Sequence, residues 1–111
     1  MSYSVIPIDK FKKEAKRLIK KYPSLKKELA ELNITLQSNP AVGMSLGNNT
    51  YKIRVAIKSK GAGKSGGARV ITYLIIENKE VYLLTIYDKA EFETVDDKTL
   101  RRIIQNIKNK L

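Results

Sequence analysis

Tyr51-Lys52-Ile53-Arg54-Val55-Ala56-Ile57-Lys58 alternates two sets of side chains: Tyr51, Ile53, Val55 and Ile57 in one, and Lys52, Arg54, Ala56 and Lys58 in the other. Successive side chains of an extended chain point to opposite faces, so the stretch is predicted to be a half-buried β-strand with a basic outer face. The glycine-rich segment Gly61-Ala62-Gly63-Lys64-Ser65-Gly66-Gly67 follows, read as a hairpin tip. Beyond it, Ala68-Arg69-Val70-Ile71-Thr72-Tyr73-Leu74-Ile75-Ile76 is apolar at both parities, as a central strand should be. Asn78-Lys79 predicts a turn, and Val81-Tyr82-Leu83-Leu84-Thr85-Ile86-Tyr87 a strand that pairs back.

Toward the N-terminus the period changes. Val5, Ile6 and Ile8 suggest a short first strand, and Asp9 is read as the N-cap of a helix. Phe11, Ala15, Leu18, Ile19 and Tyr22 then describe one helical face, while Lys10, Lys12, Lys13, Lys16, Arg17, Lys20 and Lys21 occupy the other. Pro23 interrupts, Ser24 offers a second cap, and Leu25, Leu29, Leu32 and Leu36 mark a second helix ending at Asn39-Pro40. So short a connection predicts a helical hairpin. Gly43 to Thr50 is read as a loop. At the other end, Thr94 with Asp97 fits a capping box, and Leu100, Ile103, Ile104, Ile107 and Leu111 give a last helix its apolar face. The predicted order is β-α-α-β-β-β-α: an α+β fold with a small, mostly antiparallel sheet packed against an N-terminal helical hairpin, plus a C-terminal helix, the helices all on one side. Residues 1–111 are read as one domain.

Composition narrows the chemistry. No cysteine is present, which excludes disulfides and thiolate metal sites, and no histidine, which removes the commonest metal ligand and neutral-pH proton shuttle. The acidic residues are scattered, so neither metal nor cofactor is expected. No signal peptide is visible at Met1-Ser2-Tyr3-Ser4-Val5-Ile6-Pro7, and the apolar runs fall far short of the ~20 residues that cross a bilayer. The expectation is a cytoplasmic protein with no membrane partner. The formal charge is +11, and its distribution is uneven: residues 1–76 hold 15 basic and 4 acidic side chains, residues 77–111 hold 7 of each. Such a field draws in polyanions; its plainer use is solubility.

Gly61-Ala62-Gly63-Lys64-Ser65-Gly66 matches a dinucleotide fingerprint, and Gly63-Lys64-Ser65 the end of a phosphate-binding loop. Both need a helix to follow, and β-branched Val70, Ile71 and Thr72 follow instead; the phosphate loop also needs glycine where Lys58 stands. A hairpin tip whose Lys58, Lys60 and Lys64 grip nucleic-acid phosphates, RNA or DNA, is the better account. A tyrosine on the basic sheet face, Tyr87 among the candidates, would stack on a base. The most informative group is Lys52, Arg54 and Arg69. Lys52 and Arg54 share one strand face about 6–7 Å apart, and Arg69 lies on the strand expected beside them. Charge guarding an edge strand explains the first two but not an arginine in a central strand.

Leu46-Gly47-Asn48-Asn49-Thr50-Tyr51-Lys52-Ile53-Arg54-Val55, Gly63-Lys64-Ser65-Gly66-Gly67-Ala68-Arg69-Val70-Ile71 and Val81-Tyr82-Leu83-Leu84-Thr85-Ile86-Tyr87-Asp88-Lys89-Ala90-Glu91 together resemble the RelE/ParE superfamily of toxins, the second string its HigB-like members. The resemblance implies a RelE-like fold and the toxin of a type II toxin-antitoxin system: an mRNA interferase, a ribosome-dependent and metal-independent endoribonuclease. It implies a cognate antitoxin with a helix-turn-helix domain, through which alone operator DNA would be met. It also places catalytic cations at Lys52, Arg54 and Arg69, and a further one at Lys89, where the best-known members carry arginine. Many members use a tyrosine near the C-terminus and some HigB enzymes use histidines; this chain has no tyrosine after Tyr87 and no histidine.

Metal-free cleavage of RNA by its own 2′-hydroxyl needs a base, charge for the developing phosphorane and an acid for the leaving oxygen. Lys52 is the expected base, Arg54 and Arg69 the charge, and Lys89 or, failing that, Tyr87 the acid. Two other functions fit the same sequence: a ParE-like inhibitor that binds DNA gyrase without cutting RNA, and a non-catalytic RNA- or ribosome-binding domain.

Overall fold

The computed structural model describes residues 2–60, 66–91 and 95–111. Along the chain lie β1 (Ser4–Pro7), α1 (Asp9–Lys21), α2 (Leu25–Ser38), β2 (Met44–Gly47), β3 (Thr50–Val55), a 3-10 turn (Lys58–Lys60), β4 (Ala68–Ile75), β5 (Glu80–Asp88) and α3 (Asp97–Asn109). One five-stranded sheet runs in the order β1-β5-β4-β3-β2. The β1–β5 pair is parallel, with Ser4 opposite Glu80 and Pro7 opposite Leu83, and the other three pairs are antiparallel. Among the described residues no helix is long and apolar enough to cross a membrane.

β4 is buried along its whole length and sits at the centre of the sheet, as its two-faced apolar pattern requires. Its residues serve two cores of opposite parity. Ala68, Val70 and Leu74 pack with Phe11, Leu18, Leu25 and Leu36 of α1 and α2, and Ile71, Tyr73 and Ile75 pack with Leu100 and Ile107 of α3. The helices therefore cover both sides of the sheet, not one. The physical reason lies in β4 itself, because a strand apolar on both faces leaves one exposed unless each is covered.

The structure adds a strand to the predicted order. Met44–Gly47, expected as loop, forms an edge strand joined to β3 by Asn48 and Asn49 with φ of 52° and 60°, a two-residue hairpin turn. Before it, Gly43 has φ +105°, and a Cβ there would lie 2.6 Å from the Lys52 carbonyl oxygen. That close approach brings residues 42–44 alongside Lys52. With β2 outside it, β3 is no edge, so its lysine and arginine do not serve as edge protection.

The caps also differ from expectation. Asp9 is the first residue of α1, where its charge suits the helix N-terminus, and Ile8 holds the cap position without a side-chain bond. Ser24 does precede α2, but its hydroxyl donates to the Glu28 carboxylate and accepts the Ser59 amide, 2.9 Å away. Thr94 lies outside the described residues; Asp96 caps α3, accepting from the Lys98 amide. Where β1 ends, Glu14 of α1 takes over the edge of β5. Its Oε1 accepts the Ile86 amide and the Thr85 hydroxyl, so the backbone donor left by the short strand is satisfied.

Candidate active site

Beyond the part of the second sheet face that α3 covers lies a cleft of about 420 Å³, lined by Val42, Gly43, Met44, Lys52, Ile53, Arg54, Arg69 and Lys89. The register explains how four cations meet there. Lys52 and Arg54 are two apart on β3, Arg54 stands directly opposite Arg69 on β4, and Arg69 opposite Tyr87 on β5. Lys89 follows at the end of β5. Arg54 and Arg69 thus place like charge opposite like across the sheet.

The four are not equally placed. Arg54 and Lys89 are exposed and Lys52 is half-buried, whereas Arg69 is only 4% exposed and donates from Nη1 to the Ala68 carbonyl oxygen at 3.2 Å. Arg69 thus forms the floor of the cleft. Tyr87 beside it is also 4% exposed; burial pushes its phenol above the ordinary value, against the pull of the Arg69 charge. A ring so enclosed is not a surface on which a base can stack, which corrects that expectation.

The lysines of the predicted tip separate. Lys58 is exposed, its backbone amide held by Glu28 at 2.8 Å, and Lys64 lies outside the described residues. Lys60 is turned inward, which corrects its assignment to RNA phosphates: its ammonium pairs with the Asp88 carboxylate and donates to the Gly66 carbonyl oxygen. Asp88, 1% exposed and adjacent in sequence to the cleft residue Lys89, is a buried acid that sequence reading did not single out. An acid closing an otherwise apolar strand was its one visible signal.

Burial alone would raise the carboxyl pKa of Asp88, but Lys60, the Ala90 amide and the Tyr22 hydroxyl together bring it below the ordinary value. A group whose pKa is depressed on folding stabilises the native state above its unfolded value of about 3.9, and loses that contribution as pH falls toward the lower folded value. Thermal unfolding followed from neutral pH down to about pH 3 should therefore show a steep acid loss that Asp88→Asn makes shallower. Equal slopes in the two proteins would remove Asp88 as the cause.

Among the described residues no three metal-ligating side chains converge. No family model matches the chain. Solved structures do. A free E. coli toxin RelE with two arginines replaced by alanine is 17% identical, over 84% of this chain and 90% of that one, at a TM-score of 0.61. Isolated E. coli RelE is 18% identical, over 96% and 99%, at 0.52. The mutant RelE bound to a peptide of the antitoxin RelB is 22% identical, over 87% and 98%, at 0.50. The chain has the RelE toxin fold. Within that RelE-type frame, the cationic cleft occupies the ends of β3, β4 and β5 on the face shared with α3.

Proposed function

We propose that this chain is the toxin of a type II toxin-antitoxin pair, a HigB-like RelE-type endoribonuclease that cuts mRNA on the ribosome and is silenced by a cognate antitoxin. The observation that carries the reading is the convergence of Lys52, Arg54, Arg69 and Lys89 in one cleft seated on β-structure. A cluster of this kind suits a scissile phosphodiester. Arg54 and Arg69 hold the phosphate oxygens through paired, permanently charged donors as negative charge accumulates in the phosphorane. Lys52 takes the proton of the 2′-hydroxyl, whose oxygen attacks phosphorus. The bond to the 5′-oxygen breaks, Lys89 protonates that oxygen, and a 2′,3′-cyclic phosphate remains. A cleft this open aligns RNA poorly by itself, and the ribosome supplies the missing orientation.

The test is to add the purified chain to a translating extract and map transcript ends. Cuts within translated reading frames are expected, and Lys52→Ala should slow them about 100-fold, the scale of a lost general base. Intact transcripts accompanied by gyrase-dependent DNA breaks would replace the nuclease reading with gyrase inhibition. Intact transcripts and intact DNA would leave a binding domain without turnover.

A further inference from the structure

Lys89 is rooted in a turn held with unusual care for a surface segment. Asp88 Oδ1 accepts from Lys60 Nζ and, at 2.9 Å, from the Ala90 amide, while Oδ2 accepts from the Tyr22 hydroxyl at 3.0 Å. The Lys89 amide donates to the Gly67 carbonyl oxygen at 3.0 Å, and the Glu91 amide to that of Asp88 at 2.9 Å. Two positions past Lys89, the Glu91 carboxylate takes both terminal nitrogens of Arg17 on α1, at 2.8 and 3.4 Å. Lys60 is fixed in its own right: its 3-10 turn is tied to α2 through Glu28 and Ser24, and its ammonium lies 5.5 Å from the Tyr22 ring centroid. Residues 88–91 are thus fastened to β4, to α1 and to the 58–60 turn, with the Lys89 side chain left exposed and facing the cleft.

We propose that Asp88, with Tyr22 and Lys60, is a positioning group for Lys89, fixing the root of that side chain so that its ammonium is presented to the cleft. The inference rests on the reading of the cleft as a nuclease site. Stability alone is a poor reason for the arrangement, because desolvating a carboxylate and an ammonium offsets most of their attraction, and apolar residues of the same volume commonly serve as well. What the pair supplies is a defined geometry. Lysine offers a point charge on a flexible four-carbon stem, so the precision with which it meets a leaving oxygen depends on where the stem begins.

Two measurements separate this inference from the nuclease reading. The first, independent of activity, is amide hydrogen exchange. In Asp88→Asn the Lys89 and Ala90 amides should exchange about tenfold faster while those of α2 are unchanged, with a smaller effect in Tyr22→Phe, which deletes one hydrogen bond and keeps the ring. The second is a double-mutant cycle on single-turnover cleavage. Asp88→Asn should slow cleavage about tenfold with KM little altered, and should cost nothing further once Lys89→Ala is present. The same loss with and without Lys89, or unaltered exchange at Lys89 and Ala90, would overturn the proposal. Should Asp88→Asn fail to fold, Tyr22→Phe carries both measurements. Should the wild-type chain cut no RNA, the nuclease reading fails, and exchange alone decides whether Asp88 fixes the turn.

Discussion

Arg69→Ala is expected to abolish growth arrest and to lower the rate of RNA cleavage by about a thousandfold, the upper range for loss of one charge-stabilising donor. Arg69 sits at the bottom of the cleft, almost sealed from solvent, where water screens its charge least. It is also the cation whose position the sheet fixes most tightly, in the central strand with Arg54 on one side and Tyr87 on the other. Arg69→Lys should recover only a small part of the loss, because an ammonium keeps the charge but not the planar fork that meets two phosphate oxygens. The fold should survive in both variants, since the pairing of β4 with β3 and β5 is made by backbone groups that neither change removes. The measurement is toxicity on induction together with cleavage in a translating extract. Wild-type toxicity in Arg69→Ala, with circular dichroism unchanged, would take Arg69 out of the site.

Gly67→Ala should have the largest effect on stability, lowering it by about 3 kcal/mol or more and weakening activity with it. A Cβ at this position would lie 2.1 Å from the Val55 carbonyl oxygen and 3.1 Å from the Ala56 Cα. These are backbone atoms of β3 and its continuation, so no side-chain rotation can make room and the strands must part. The strain would spread in two directions, to Val55 beside Arg54, and to Lys89, whose amide rests on the Gly67 carbonyl. Urea unfolding of the variant against wild type gives the loss directly. An unaltered midpoint would mean that the end of β3 is free to shift, and the cleft with it.

The sheet was largely legible in the sequence because its central strands obey simple periodicity. The alternation from Tyr51 to Ile57 and the two-faced run from Ala68 to Ile76 follow from side-chain direction alone. The juxtaposition of Lys52, Arg54 and Arg69 was legible for the same reason, since parity and hairpin pairing determine it. β2 was not. Four residues, Met44-Ser45-Leu46-Gly47, between a left-handed glycine and a two-asparagine turn, offer too short a pattern, and their pairing depends on β3 being there to receive them. The inward turn of Lys60 was illegible for a different reason. It depends on Asp88, 28 residues away, being buried and needing a cation, and no local signal records that. The placement of α3 could have been inferred from the burial demand of β4, yet its apolar stripe alone does not say which face it covers.

The parallel pairing of β1 with β5 has a consequence for how the polypeptide is made. Ser4–Pro7 are made well before Glu80–Leu83, the partners that hold them in the sheet, and must wait for them. Until β5 is made, the growing chain has helices without a complete platform and β4 with one edge bare, an interval in which non-local pairing is still owed. Lys89 is added later still, so the four cations of the cleft come together only after β5 has been made.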